Sequence, residues 1–156
     1  VESGGSEPTS VAVSGELVYV LNNGTPCITG FNLANGKLTP IQDSTRQLSG
    51  DDADPAQISF SVDGAALIAT ERGTNSISSY AIDERGYAEG PTTIESKGQT
   101  PYGFDFTPKG SVIVVAGRRK RVGLKLTVVP EGCPEAERVI ALLKPPLMVV
   151  VMVDCA

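Results

Sequence analysis

Three prolines constrain this chain more than any other feature. Pro8, Pro55 and Pro101 stand 47 and 46 residues apart, and each opens the same series of segments. The order is an apolar run, a glycine turn, a stronger apolar run, a second turn and a run bearing an aromatic residue. Val11, Ile58 and Phe104 fall at one place in the repeat. Val13, Phe60 and Phe106 fall at another, and Gly15, Gly64 and Gly110 at a third. Asn23-Gly24-Thr25 aligns with Arg72-Gly73-Thr74, and Phe31 with Tyr80. A period in the forties means stacked supersecondary units rather than one irregular domain.

The second unit is the most complete. Its apolar runs are Gln57–Ser61, Ala66–Thr70, Ser76–Ile82 and Thr92–Ser96. Asp63-Gly64, Arg72-Gly73-Thr74-Asn75 and Asp83-Glu84-Arg85-Gly86 separate them. Short β-branched runs cut by such turns predict hairpins, not helices. Four strands per unit of this length is the pattern of a β-propeller blade. One blade cannot bury both its faces alone, so neighbours must stack against it. The expected fold is therefore all-β, a partial propeller of four-stranded antiparallel blades with an atypical C-terminal tail. Blades are expected at about 7–53, 54–99 and, incomplete, 100–116, with the tail at 117–156. The leading prolines are expected to hold Glu7, Asp54 and Thr100 extended.

The repeat resembles the lactonase-type seven-bladed propellers, which include 6-phosphogluconolactonases and carboxymuconate cyclases. The residues that carry the resemblance are Pro55, Ile58, Phe60, Asp63-Gly64, Leu67-Ile68, Thr70-Glu71, Thr74-Asn75, Ile77, Tyr80 and Pro101–Phe106. Part of this pattern is shared with YVTN and related propeller repeats. The resemblance covers roughly residues 5–116, about two and a half blades where the family has seven. It implies lactone hydrolysis, or lactone-forming cycloisomerisation, on a sugar acid or muconate-like compound. It also implies site residues drawn from several blades around a central channel. Family members use histidine there, and this chain has none. With under half the ring, the chain is expected to be inactive by itself. A non-catalytic scaffold that binds a protein or small molecule, or a product with no function, are the other readings.

The candidate site residues are Glu71, Arg72 and Asp105. A Glu/Arg pair at a strand end can bind an acidic sugar, with the carboxylate as general base. The competing reading is a solvated turn flanked by charge. Asp105 lies on an expected inner strand, where propellers bind ligands; a hydrogen-bonded strand aspartate is its plainer reading. Asp63 is expected to cap a tight turn. Tyr19, Phe31, Phe60, Tyr80, Phe104 and Phe106 are expected in the core. The acidic loop Gly50–Asp54 lacks the ligand spacing of a known calcium loop. Cys27, Cys133 and Cys155 fit neither a disulfide framework nor a zinc site. No cofactor and no metal are expected.

Charge divides the chain. The formal net charge is -5, with 6 Lys+Arg against 14 Asp+Glu in residues 1–116 and 7 against 4 in residues 117–156. The acidic body argues against nucleic acid. The run Gly117–Arg121 is basic, but a lone basic run is weak support for a nucleic-acid or membrane patch. The apolar run Pro145–Val153 is too short to span a bilayer as a helix. Neither nucleic acid nor membrane is expected as a partner; a small lactone or sugar acid is, and so is self-association through exposed blade faces. The N-terminal residues show no basic start or apolar run of a signal peptide, which leaves the compartment open between cytoplasmic and secreted.

Residues 117–156 lack Ser, Asn, Gln, Phe and Tyr altogether. They could form a capping element of unusual type. The favoured reading is an out-of-frame translation of propeller sequence. Shifting the codons of Pro145–Ala156 by two bases forces glycine at each Met-Val junction. It permits Ser-Ser-Tyr followed by an Asp-Gly turn, the pattern of Ser78-Ser79-Tyr80. The nucleotide sequence decides this: stop codons in the shifted frame would end the idea.

Overall fold

The computed structural model describes residues 1–110, 112–118, 142–143 and 148–154. Strand follows strand, and the described residues contain no helix. The first sheet comprises β1 (Pro8–Ser14), β2 (Leu17–Asn22), β3 (Cys27–Ala34) and β4 (Lys37–Pro40) in that order. A short β5 (Arg46–Gln47) pairs with β3. The second sheet comprises β6 (Pro55–Phe60), β7 (Ala66–Glu71), β8 (Ser76–Ile82) and β9 (Ala88–Glu95), each antiparallel to the next. The third begins with β10 (Phe104–Phe106) and β11 (Val112–Gly117), again antiparallel. The fourth strand of the second blade begins at Ala88, not Thr92, because a register shift between Ser79 and Ala81 lets pairing resume as far as Ile82.

The repeat seen in the sequence is a repeat of backbone. Gly15, Gly64 and Gly110 all have positive φ, at 58°, 74° and 68°. Each sits in the turn between the first and second strands, where an L side chain would be strained. Val11, Ile58 and Phe104 pair with Val20, Ala69 and Val115, so the register is the same in all three sheets. Asp63 caps its turn as expected: its Oδ1 accepts from Ser61 Oγ at 2.6 Å and from the Ala65 N–H at 3.1 Å.

One expectation fails in all three units. Glu7, Asp54 and Thr100 are not extended; their φ values are 54°, 42° and 48°. The proline ring biases the preceding residue against helical ψ, but it does not stop φ from crossing to positive values. In the first two units backbone hydrogen bonds hold this corner. The Glu7 and Asp54 carbonyls accept the N–H groups of Asn23 and Arg72 at 2.9 and 3.1 Å. Register shifts at Pro8/Ser10 and Pro55/Gln57 mark the same corner in both complete blades.

The third sheet departs from the pattern. β12 (Leu142–Leu143) and β13 (Met148–Asp154) complete it, but β13 runs parallel to β11. An antiparallel partner follows through a tight hairpin, whereas a parallel partner needs a crossover of a dozen or more residues. Arg119–Arg121 of the basic run lie outside the described residues.

Two packed layers join the sheets. Between the first and second lie Tyr19, Leu21, Ile28, Ile58, Phe60, Leu67, Ala69 and Tyr80. Between the second and third lie Ala66, Ile68, Ile77, Phe104, Ile113 and Val115. Alternation along β7 explains the division: Leu67, Ala69 and Glu71 face the first blade, while Ala66, Ile68 and Thr70 face the third. Tyr19, Phe31, Phe60, Tyr80 and Phe104 are buried, and Phe106 packs against the second layer partly buried.

Candidate functional site

The candidate site lies at the proline end of the blades, where each inner strand begins and its neighbour ends. Pro55 pairs with Glu71 there, as Pro8 pairs with Asn22. In the third unit the matching contact is the bridge between Gln99 and Arg118. Glu71, Arg72 and the start of β10 are thereby brought to one end of adjacent blades.

Glu71 and Arg72 are consecutive, and their side chains part company. Glu71 is fully buried, so it is no part of a solvated turn. Its Oε2 accepts from Ser49 Oγ and, at 2.9 Å, from Thr74 Oγ1. Its Oε1 accepts from Ser78 Oγ and, at 3.4 Å, from the Ser49 N–H. Ser78 Oγ is also within 2.9 Å of Thr93 Oγ1. A buried carboxylate is costly unless donors surround it, and here hydroxyl groups do. Tyr80, on the same face, has its phenol pushed well up, chiefly by burial and then by Glu71 and Cys27. Its hydroxyl donates to Gln47 O at 2.9 Å. In the first blade the position of Glu71 is held by Asn22, also fully buried. Its Nδ2 donates to Ser3 O at 3.2 Å and to Cys27 Sγ at 3.6 Å. This site is thus a buried polar post in the first two blades, filled by Asn22 in one and Glu71 in the other.

Arg72 points outward, with its side chain 32% exposed. One terminal nitrogen, Nη2, pairs with Asp54 Oδ1, and Nε donates to Asp54 O at 3.3 Å. The guanidinium lies over the Tyr102 ring, 5.2 Å from its centroid. That leaves Nη1 as a donor with no partner among the described residues. Gly73 must be glycine: a Cβ there would stand 1.9 Å from Asp52 O.

Asp105 is exposed on β10. Its Oδ1 accepts the N–H of Phe106 at 2.8 Å. No hydrogen bond or ion pair joins it to Glu71 or Arg72 among the described residues. Three further residues build this end. Gln57 takes the Phe104 N–H at 3.0 Å and donates to Phe104 O at 2.8 Å, clasping the second inner strand to the third. Ser10 does the same in part, accepting the Ile58 N–H at 3.2 Å. Thr70 Oγ1 donates to Tyr102 O at 2.6 Å. Sequence reasoning passed over these positions, although the repeat aligns Ser10 with Gln57, each two residues after a proline. Among the described residues no group of three or more His, Cys, Asp or Glu side chains could hold a metal ion.

The stacked blades, the shared register and the channel-side clasps define a propeller. Comparison with known proteins narrows that class. Residues 3–126 match the model of the lactonase family of seven-bladed β-propellers, and the chain belongs to that family. Among solved structures it is similar to a candidate 6-phosphogluconolactonase from Bacteroides uniformis, at 27% identity and a TM-score of 0.60. That match covers 67% of this chain and 30% of the other. A second candidate 6-phosphogluconolactonase, from Bacteroides fragilis, matches at 26% identity over 69% of this chain and 30% of its own, with a TM-score of 0.61. A periplasmic gluconolactonase from Pseudomonas aeruginosa, at 24% identity and a TM-score of 0.58, shares the fold over 67% of this chain and 30% of its own. The chain thus spans about a third of the length of these structures. No curated protein matches its sequence.

Proposed function

We propose that the proline end of these blades is part of a lactonase-type site for a sugar-acid lactone, and that this chain alone does not complete turnover. The observation that carries the reading is Arg72. It is a guanidinium fixed on two sides, with Nη1 unpaired among the described residues, in a chain of the lactonase family. A fixed cation suits the anionic group of a sugar acid. Hydrolysis needs a base to take a proton from water as its oxygen adds to the lactone carbonyl. The ring C–O bond then breaks, and the ring oxygen leaves as the hydroxyl of the open acid. Asp105 is the solvent-open carboxylate for the base. Glu71, saturated with donors, ties down the turn from which Arg72 projects through its bond from Thr74. The family's use of several blades, against the 30% of relatives' length present here, supports binding without turnover.

The test is hydrolysis of 6-phosphoglucono-δ-lactone followed by acid release, beside titration with 6-phosphogluconate. We expect a rate equal to the spontaneous one, and binding that Arg72→Gln weakens about tenfold. Turnover above background would show that the chain completes its own site. A second reading, a non-catalytic scaffold, is favoured by the full hydrogen bonding of Glu71; binding untouched by Arg72→Gln would select it. We also propose that the chain self-associates with a second copy through the first blade's outer face, where Val11 and Val13 are each 58% exposed. Val13→Lys is then expected to lower the mass measured by light scattering, and a monomeric parent protein would refute the idea.

A further inference from the structure

We infer that Tyr102 is a stacking platform for a pyranose ring, placed beside Arg72 so that one ligand carrying a ring and an anion engages both. The inference rests on the reading of Arg72 above and adds the ring to it.

Tyr102 follows directly on the third proline. The matching residues of the other blades are Thr9 and Ala56, so an aromatic at this corner is peculiar to the third unit. It is 59% exposed, although the other repeat aromatics are buried or partly buried. Its backbone is nonetheless fixed from both sides. The N–H donates to Ala116 O at 2.8 Å, and the carbonyl accepts Thr70 Oγ1 at 2.6 Å. The residue two before it is pinned as well, since the Thr100 N–H donates to Asn75 Oδ1 at 2.7 Å. The Arg72 guanidinium lies over the ring, which orients it, and among the described residues the ring keeps its exposed surface. An aromatic face accepts the apolar C–H face of a sugar ring, and the neighbouring guanidinium supplies the polar contact that sets its orientation. The ligand class is a pyranose or δ-lactone ring with a carboxylate or phosphate.

The test uses methyl β-D-glucuronide, which joins a pyranose to a carboxylate, against acetate, which has the anion alone. Binding is followed by NMR titration of the full chain, with the Tyr102 ring signal assigned by its loss in Tyr102→Phe. In the parent protein the glucuronide should shift that signal and bind at least fivefold tighter than acetate. Tyr102→Ala should lose that advantage and leave acetate binding unchanged, while Tyr102→Phe keeps it. Arg72→Gln should weaken both ligands. If Tyr102→Ala binds glucuronide as well as the parent does, the platform is refuted and the Arg72 reading stands. If neither ligand binds the parent, or Arg72→Gln weakens neither, the Arg72 reading fails and the platform with it.

Discussion

The two blade interfaces are built from the same repeat but held differently. Between the first and second blades, Tyr19 and Arg46 reach across and close on the backbone of Gly86 and Ala88, away from the inner strands. Tyr19 donates to Gly86 O and accepts the Ala88 N–H, both at 2.9 Å, and Arg46 Nε donates to Ala88 O at 2.8 Å. Between the second and third blades, the cross-links among described residues gather at the inner strand and its proline end: Gln57 on Phe104, Thr70 on Tyr102, Asn75 on Thr100. The first interface is locked along its depth, the second at one end. The candidate binding residues lie on the second, where the backbone is fixed at the proline end and Tyr102 is exposed.

The largest test of this contrast is Glu71→Ala. It takes the carboxylate from the buried Ser78 hydroxyl and from the less buried Thr74 and Ser49 hydroxyls, and should cost about 2 kcal/mol, within the about 1–3 kcal/mol of one buried group left without its partner. Asn22→Ala, at the same place in the first blade, should cost about 1 kcal/mol, because Asn22 makes fewer and longer bonds. Equal losses in urea unfolding would erase the distinction between the two posts.

Alkaline pH should loosen the first interface. The phenols of Tyr19 and Tyr80 are raised, mainly by burial. Their contribution to stability is full below the ordinary phenol value of about 10 and is lost as pH rises through the raised values. Thermal melts from pH 8 to 12 should show the midpoint falling above about pH 10, and Tyr80→Phe should flatten that fall. A midpoint unmoved to pH 12 would refute it.

Gln57→Ala removes the clasp on Phe104 and should cost about 1–2 kcal/mol. The loss should appear as faster amide exchange along β10 with β2 unchanged. Exchange that rises equally in both strands would mean that the interfaces are not separable. The smallest effect concerns Asp63, whose carboxyl is held below its usual range by the Ser61 hydroxyl and then the Ala65 N–H. Its stabilisation is present above about pH 3.9 and is lost as pH falls through its lowered value. Being exposed, Asp63→Asn should shift stability at pH 7 by about 0.5 kcal/mol or less.

The blades were legible because their determinants are local. Proline spacing, turn glycines at Gly15, Gly64 and Gly110, and β-branched runs each act within a few residues. Glu71 was legible as a charged strand end but not as a buried one. Its partner Ser49 lies 22 residues away, on the strap that crosses from the first blade. Positive φ before the prolines was not legible, because the local bias of proline concerns ψ while the N–H groups that bond at this corner lie far along the chain. Tyr102 was visible within the Pro-Tyr-Gly motif, yet its exposure depends on how the third inner strand meets β7.

The inner-strand clasp also has a direction. Ser10 holds Ile58 and Gln57 holds Phe104, each two residues past a proline reaching one place further along the next strand. The residue in that place in the third blade is Gly103, which has no side chain to extend. The relay therefore runs forward and stops. Under mechanical load, a neighbour stacked on the third inner strand would lack this clasp, so that junction is expected to part before the first two blades do.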